Sequence, residues 1–176
     1  MKLTVYCIRD DEAGLFRTKA EELGVELELT PRRPTEETAQ AARGSDAVAI
    51  VTSCRVDDPT AAALQDAGVK YVLTRGTGFD HIDLAAAARH GLRCANVPLY
   101  SRSAVSEYAV MAVLALLRRI KGELRKVDGY AFELPRTPAR ELEALTVGVS
   151  GTGRIGSRTA RLLHAFGCRV LAYTPP

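Results

Sequence analysis

Cysteine is scarce in this 176-residue chain, and its four thiols are far apart. None of them forms the C-x-x-C spacing that structural zinc sites use, and a small secreted scaffold held by disulfides has a much higher cysteine density. The sequence therefore predicts free, mostly buried thiols in a reducing cytoplasm, and no metal site. The four residues are Cys7, Cys54, Cys94 and Cys168.

Long apolar stretches and blocks of one charge are also lacking. The longest apolar stretch, residues 108–117, is too short to cross a bilayer, and the first residues enter a strand pattern without the apolar segment of a signal peptide. The net charge is only +3, and Glu123 interrupts the densest basic run, residues 118–126. We expect that run to be a solvated helix end rather than a nucleic-acid surface. These features predict a cytoplasmic protein that binds neither membranes nor nucleic acids.

Short apolar runs and helical patterns alternate along the first half of the chain. The predicted strands are residues 3–8, 25–29, 47–52, 69–74 and 92–97, and the predicted helices are residues 11–23, 35–43, 58–67 and 84–90. This alternation predicts a parallel sheet covered by helices on both faces. Ligands of such sheets bind at the carboxyl ends of the strands, so the loops after residues 52, 74 and 97 are the places to examine.

The second half begins with a longer helical pattern. Apolar residues recur every three or four positions from residue 103 to about residue 121, which predicts one helix that is apolar on most sides and lies between domains or subunits. A strand, a helix and a second strand are then predicted at residues 146–150, 155–166 and 169–173. We predict a domain boundary near Pro98, with residues 1–98 in one domain and residues 99–176 in the next.

The six residues GTGRIG fit the pattern G-x-G-x-x-G. The pattern alone is weak, but here it follows a predicted strand and opens a predicted helix, the context in which it binds a dinucleotide pyrophosphate. An S-adenosylmethionine site fits less well because no acidic residue precedes the turn, and a turn without a ligand is the remaining alternative. The predicted cofactor-binding residues of this glycine turn are Gly151, Thr152, Gly153, Arg154, Ile155 and Gly156.

Each part of the glycine turn has an expected task. Gly151 makes the tight turn, Gly153 lets the pyrophosphate approach the backbone, and Gly156 lets the helix pack on the strand. The amides of Arg154 and Ile155 open the helix, whose dipole favours a phosphate. The turn is therefore expected to hold the charged centre of the cofactor.

The position that usually binds the cofactor ribose is neutral in this chain. About 20 residues after such a turn, an acidic side chain accepts both ribose hydroxyls of NAD and repels the 2′-phosphate of NADP. Tyr173 and Thr174 occupy that place here. Thr174 removes the repulsion, which predicts that NADP is tolerated or preferred. The alternative is a loop residue with no influence on the cofactor.

Two loops of the first half carry candidate substrate contacts. Residues 74–83, TRGTGFDHID, contain small residues that let successive backbone amides point into a cleft, a nest suited to a carboxylate. Within this loop Asp83 is expected to cap the next helix. Residues 96–101, NVPLYS, join the predicted domains and place Tyr100 at the cleft between them. On the residues alone, a plain strand-to-helix turn and a packing role for Tyr100 stay open.

Four motifs in this order resemble the D-2-hydroxyacid dehydrogenase family, and within it the D-lactate dehydrogenases, including the branch that serves vancomycin resistance. They are RGTGFDHID at residues 75–83, NVPLYS at residues 96–101, SRSAVSEYA at residues 101–109 and TVGVSGTGRIG at residues 146–156. The resemblance spans the whole chain. It implies an α/β fold, with a flavodoxin-like parallel-sheet substrate domain followed by the first β-α-β unit of a Rossmann NAD(P)-binding domain.

The resemblance also implies an activity and roles for particular residues. The reaction is an NAD(P)H-dependent reduction of a small 2-ketoacid by a homodimer, with pyruvate to D-lactate as the leading case and glyoxylate, hydroxypyruvate or phosphoglycerate as alternatives. Thr77 and Gly78 are implied to hold the substrate carboxylate through backbone amides. Tyr100 is implied to border the substrate, and Val105 to lie against the nicotinamide.

One part of the family pattern is missing. The catalytic Arg, Glu and His of the family follow the second Rossmann strand, and no residue of this chain matches them. His81, His90 and His164 stand outside that motif. We therefore expect this chain to be the N-terminal half of such an enzyme and to be inactive alone. The alternative is a non-catalytic dinucleotide-binding or dimerising module of the same fold.

Overall fold

A computed structural model describes residues 1–133 and 137–174. The chain divides into two compact units, Met1–Tyr100 and Ser101–Pro176. In the described ranges, no helix combines the length and the apolar character needed to span a membrane.

The first unit contains a five-stranded sheet in which all paired strands are parallel. Its strands are Lys2–Tyr6 (β1), Glu26–Thr30 (β2), Ala47–Ile50 (β3), Tyr71–Thr74 (β4) and Arg93–Ala95 (β5). Their order across the sheet is β2-β1-β3-β4-β5. This is the flavodoxin-like doubly wound order, and it confirms the predicted fold class. The carboxyl ends of β1, β3, β4 and β5 therefore lie along one edge.

Helices connect these strands and begin where local capping predicts. They are Asp10–Leu23 (α1), Asp58–Asp66 (α2) and Leu84–Arg89 (α3). The carboxylate of Asp57 accepts from the amide of Thr60 at the start of α2, and that of Asp83 accepts from the amide of Ala86 at 2.9 Å. The second of these contacts confirms the predicted cap of α3.

The helix predicted over residues 35–43 is reduced to a 3₁₀ turn, Ala39–Ala42. The Thr38 hydroxyl donates to the carbonyl of Arg33 and accepts from the amide of Thr35 at 2.8 Å. Such side-chain bonds offer the backbone an alternative to helical bonds, so a regular α-helix does not start here.

The core of the first unit lies around β3, whose residues Ala47–Ile50 are all buried. Burial on both faces explains why this strand is a continuous apolar run. Tyr6 is also completely buried, and its hydroxyl donates to the carbonyl of Thr38 at 3.1 Å. This burial raises the pKa of Tyr6 to about 12.

The second unit contains the predicted β-α-β segment and two helices before it. Its elements are Arg102–Leu117 (α4), Ile120–Asp128 (α5), Thr146–Ser150 (β6), Arg154–Ala165 (α6) and Arg169–Tyr173 (β7). The strands β6 and β7 are parallel. A small core of Val110, Leu142, Leu163 and Cys168 joins α4, α6 and the sheet.

The long helix predicted over residues 103–121 is in fact two helices, so that prediction was wrong. Arg119 has a left-handed φ of 54°, which a continuous right-handed helix cannot contain, and α5 starts immediately after it. Within this chain α4 buries Ser106 and Val110, while Leu116 is 80% exposed. The second unit by itself does not cover α4 on most sides.

Candidate active site

Arg75 anchors the loop that follows β4. Its amide donates to the carbonyl of Ile50 at 2.8 Å, and its guanidinium donates to the carbonyls of Tyr6 at 3.2 Å and Cys7 at 3.1 Å. The same guanidinium lies 3.1 Å from a carboxylate oxygen of Glu12. The side chain of Arg75 thus joins the loop after β4 to the carboxyl end of β1, and its backbone amide joins the same loop to the end of β3. Sequence reasoning used Arg75 as part of a motif but missed this anchoring role.

Thr77 and Gly78, the two residues predicted to bind the substrate carboxylate, are tied to the loop after β5. The side-chain amide of Asn96 donates to the carbonyl of Thr77 at 2.7 Å, and the Thr77 hydroxyl donates to the carbonyl of Val97 at 3.0 Å. In a trans peptide the N–H of Gly78 points away from the Thr77 carbonyl, so Asn96 fixes the direction of that N–H. Sequence reasoning did not foresee this contact, for which the asparagine opening NVPLYS was the only signal.

Space for a ligand exists beside the nest. Thr77 and Gly78 are both exposed, and a Cβ placed on Gly78 would meet nothing within 4 Å. Protein atoms therefore leave the space around the Gly78 Cα open. Tyr100, the other predicted substrate contact, is 61% exposed at the end of the first unit.

A cation that sequence reasoning missed lies after β1 on the same edge of the sheet. The guanidinium of Arg9 makes two bonds to the carboxylate of Asp11, at 2.9 and 2.7 Å. These bonds lower the pKa of Asp11. The signal available in the sequence was the position of an arginine just beyond a predicted strand, where ligand contacts concentrate.

The three histidines occupy structural positions. His90 lies 3.3 Å from a carboxylate oxygen of Asp58, and His164 is exposed in the last turn of α6. His81 is partly buried, which lowers its pKa. In the described part of the chain, no group of three or more His, Cys, Asp or Glu side chains is arranged to hold a metal ion.

The glycine turn has the local geometry that its pattern predicts. Gly151 has a φ of 89°, and its amide donates to the carbonyl of Tyr173 at 2.7 Å. A Cβ on Gly156 would overlap the Gly151 carbonyl oxygen and lie 2.9 Å from its carbon, so α6 starts directly against the turn. By contrast, a Cβ on Gly153 would meet nothing within 4 Å. This turn fits a dinucleotide pyrophosphate, since it is closed toward the helix and open at Gly153.

The start of α6 is held firmly beside the turn. Gly153 is the residue before the helix, and its carbonyl accepts from the amide of Ser157 at 2.9 Å. The hydroxyl of Ser106 lies 2.9 Å from the carbonyl oxygen of Arg102 and 3.3 Å from that of Ile155, and Arg158 pairs with Glu107 at 3.3 Å. These contacts fix the helix N-terminus, whose dipole favours a phosphate.

The two remaining predicted cofactor residues are also placed by the structure. The Thr174 hydroxyl accepts from the amide of Thr152 at 3.2 Å, and the two threonine hydroxyls share a hydrogen bond. The end of β7 is thereby tied to the glycine turn, at the position expected for the ribose. Val105 lies in the first turns of α4 and is 48% exposed.

This chain is similar to known proteins along nearly its whole length. The family model for D-isomer specific 2-hydroxyacid dehydrogenase, catalytic domain, matches residues 5–174. A D-specific alpha-keto acid dehydrogenase of Enterococcus faecalis is 37% identical over 173 residues, which are 98% of this chain and 53% of that protein. The apo-structure of D-lactate dehydrogenase from Escherichia coli is 36% identical, with a TM-score of 0.90 over 100% of this chain and 56% of that one.

A further solved structure shows the ligands of a relative. D-lactate dehydrogenase from Aquifex aeolicus, complexed with NAD and lactic acid, is 27% identical, with a TM-score of 0.82 over 97% of this chain and 50% of that one. The present chain thus spans about half the length of the relatives that it matches.

Proposed function

Because this chain belongs to the D-isomer specific 2-hydroxyacid dehydrogenases, as its sequence indicated, we propose that it contributes the carboxylate nest and the pyrophosphate turn of an NAD(P)H-dependent 2-ketoacid reductase. The expected substrate is pyruvate and the expected product is D-lactate. Similarity to D-specific alpha-keto acid and D-lactate dehydrogenases supports this choice.

The observation that carries the proposal is the contrast between two glycines. Gly156 is packed so closely that only glycine fits, whereas Gly153 faces open space at the start of α6. A turn that served packing alone would have no need to stay open at Gly153. When bound, the nicotinamide cofactor supplies the hydride for reduction of the ketone.

The nest accounts for recognition of the acid group. Backbone amides at Thr77 and Gly78 stabilise a carboxylate, and Asn96 fixes the direction of the Gly78 amide through its bond to the Thr77 carbonyl. Tyr100 is proposed to border the substrate side chain, and Val105 to contact the nicotinamide. Both side chains are exposed and free to make such contacts.

Reduction of a ketone also requires a proton at its oxygen. A positioned general acid contributes about 10²- to 10⁴-fold to such a step. His81, His90 and His164 do not match the catalytic motif of the family. We therefore expect the proton donor and the carboxylate-clamping arginine to come from the part of the enzyme outside these 176 residues, and the chain alone to bind ligands without efficient turnover.

Cofactor choice is proposed to include NADP. The Thr174 hydroxyl is neutral and bonded to Thr152, so no negative charge stands at the predicted ribose position of the turn. A 2′-phosphate then meets no repulsion there. We also expect the intact enzyme to be a homodimer.

The test is oxidation of NADH and NADPH by the full-length protein with pyruvate, glyoxylate, hydroxypyruvate or phosphohydroxypyruvate as the acceptor. We expect turnover with pyruvate and both cofactors. Cofactor binding without turnover of any ketoacid would overturn the proposal in favour of a non-catalytic dinucleotide-binding module. In a parallel assay, turnover by the 176-residue chain equal to that of the full-length protein would contradict the expected location of the proton donor.

A further inference from the structure

Two of the four cysteines meet at the carboxyl edge of the first unit. Cys7 follows β1, Cys54 lies in the loop after β3, and their Sγ atoms are 3.2 Å apart. Strands β1 and β3 are neighbours and parallel, so their carboxyl ends lie side by side. The sequence gives no sign of this contact, because 47 positions separate the two residues.

The two thiols differ in their access to solvent. Cys54 is completely buried, whereas Cys7 is partly exposed. Burial, and then the contact with Cys7, raise the pKa of Cys54 to about 11. An oxidant that arrives from solvent therefore reacts with Cys7 first, while the buried Cys54 remains a thiol.

The backbone holds both sulfur atoms in place. Cys7 has a left-handed φ of 53°, which is costly for a residue with a side chain and persists only where the surroundings impose it. Its amide donates to the carbonyl of Arg32 at 2.9 Å, and its carbonyl accepts from Arg75 at 3.1 Å. The amide of Cys54 donates to the carbonyl of Val51 at 2.9 Å. Two anchored sulfurs in contact need little rearrangement to form a bond.

The other two cysteines have different surroundings. The thiol of Cys168 is buried and donates to the carbonyl of Leu163 at 3.2 Å. Cys94 is partly buried in β5, and this burial raises its pKa. These two residues match the free, mostly buried thiols expected from the sequence, and Cys94 offers an internal control.

We propose that Cys7 and Cys54 form a modification site at which hydrogen peroxide converts the two thiols reversibly into a disulfide. The Cys7 sulfur attacks one peroxide oxygen, the O–O bond breaks, and the released hydroxide takes the Cys7 thiol proton and leaves as water. Cys7 is then a sulfenic acid. The Cys54 sulfur attacks the Cys7 sulfur, the S–O bond breaks, and a second water leaves with the Cys54 proton. Two thiols are oxidised while one peroxide is reduced to two waters.

The disulfide acts on the edge of the sheet that carries the nest. The sulfur atoms must approach from 3.2 Å to about 2.05 Å, and we expect the Cys7 segment to take up part of this small movement. The carbonyl of Cys7 is bonded to Arg75, and Arg75 begins the loop that leads to Thr77 and Gly78. The cross-link also restricts the unfolded chain, so oxidation raises the unfolding temperature.

Peptide mapping of the native protein tests the proposal. The protein is treated with a small excess of hydrogen peroxide and then unfolded in a denaturant that contains iodoacetamide, which alkylates the remaining thiols. It is then digested without reduction and analysed by mass spectrometry. We expect a linked peptide pair that contains Cys7 and Cys54 and disappears after dithiothreitol treatment, with Cys94 and Cys168 alkylated. The measurement uses no ketoacid or cofactor, so its result is independent of the proposed function.

Matched variants separate a specific pair from general oxidation. Cys54→Ser should leave Cys7 as a sulfenic acid that dimedone traps, whereas Cys94→Ser should form the linked pair as the unmodified protein does. Recovery of Cys7 and Cys54 from the treated native protein only as separate peptides, whether alkylated or oxidised to the sulfonic acid, would overturn the proposal. If Cys54→Ser does not fold, the map of the native protein decides alone.

Discussion

Alanine substitutions at three glycines of the second unit should have three different effects. Gly156→Ala should destabilise the unit, Gly153→Ala should fold normally and lose the cofactor, and Gly148→Ala should do neither. The reason is the space around each Cβ. A Cβ added at Gly156 overlaps the Gly151 carbonyl, whereas a Cβ added at Gly153 or Gly148 has nothing within 4 Å.

The magnitudes follow from these contacts. Overpacking at Gly156 costs about 1–3 kcal/mol or more of unfolding free energy, and the better helix propensity of alanine returns about 1 kcal/mol. Because the overlapping atom belongs to the backbone, the cost lies at the upper end of this range, and the resulting net loss of about 2 kcal/mol lowers the unfolding temperature of a unit of this size by roughly 10 °C. At Gly153, alanine before a helix costs about 1 kcal/mol or less, but its methyl group occupies the space proposed for the pyrophosphate. We expect at least a roughly tenfold rise in the Kd for NADH there, or about 1.4 kcal/mol.

Calorimetric unfolding and titration with NADH and NADPH measure the two effects on the same samples. Gly148→Ala, in β6, controls for the loss of glycine flexibility in this unit. The reasoning is refuted if Gly153→Ala binds both cofactors as the unmodified protein does. It is also refuted if Gly156→Ala unfolds at the same temperature as Gly148→Ala.

Three further predictions concern the nest, the cofactor choice and the buried tyrosine. Asn96→Ala removes the hydrogen bond to the Thr77 carbonyl, so the KM for pyruvate should rise about tenfold, which corresponds to a loss of about 1.4 kcal/mol. Steady-state kinetics measure this rise, and a binding assay should show an unchanged Kd for NADH. Thr174→Asp should weaken NADPH binding at least about tenfold relative to NADH binding, whereas Thr174→Ser should not. Equal NADPH binding by the unmodified protein and both variants would contradict the role of this position. Tyr6→Phe should lower the free energy of unfolding by about 1 kcal/mol at pH 8. Because the folded pKa of Tyr6 is about 12 and the unfolded pKa is about 10, the stabilising effect of neutral Tyr6 is complete below pH 10 and is lost as the pH rises toward 12. Urea unfolding should therefore show that the unmodified protein exceeds Tyr6→Phe in free energy of unfolding by less at pH 11 than at pH 8.

Features set by neighbours in sequence were predictable. The cap at Asp83 follows from a short acidic side chain placed just before an apolar helical pattern, and the structure contains that bond. The buried strand β3 follows from an uninterrupted apolar run. The glycine turn was found because its three glycines are close in sequence and each has a steric reason. In all these cases a few adjacent residues decide the local conformation.

Features set by a single backbone torsion or by strand order were not predictable. Apolar periodicity continues to Ile120, so nothing in the pattern marks the left-handed Arg119 that divides the helix. The contact between Asn96 and Thr77 depends on β4 and β5 being neighbours. Consecutive strands often pair, but their pairing does not show which side chain of one loop will bond to the other loop.

The strand order also explains why the nest and the dithiol lie on one edge. Parallel strands direct every strand-to-helix loop to the same side, and the order places the loop after β3 between those after β1 and β4. Arg75 reaches back across this edge to the Cys7 carbonyl, so we expect a displacement of Cys7 to reach the start of the nest loop through this guanidinium. A substitution that removes this link, such as Arg75→Met, should uncouple substrate binding from oxidation of the cysteines. The expected coupling between cysteine oxidation and substrate binding therefore depends on the same strand order that brings the loop of the predicted carboxylate nest to this edge.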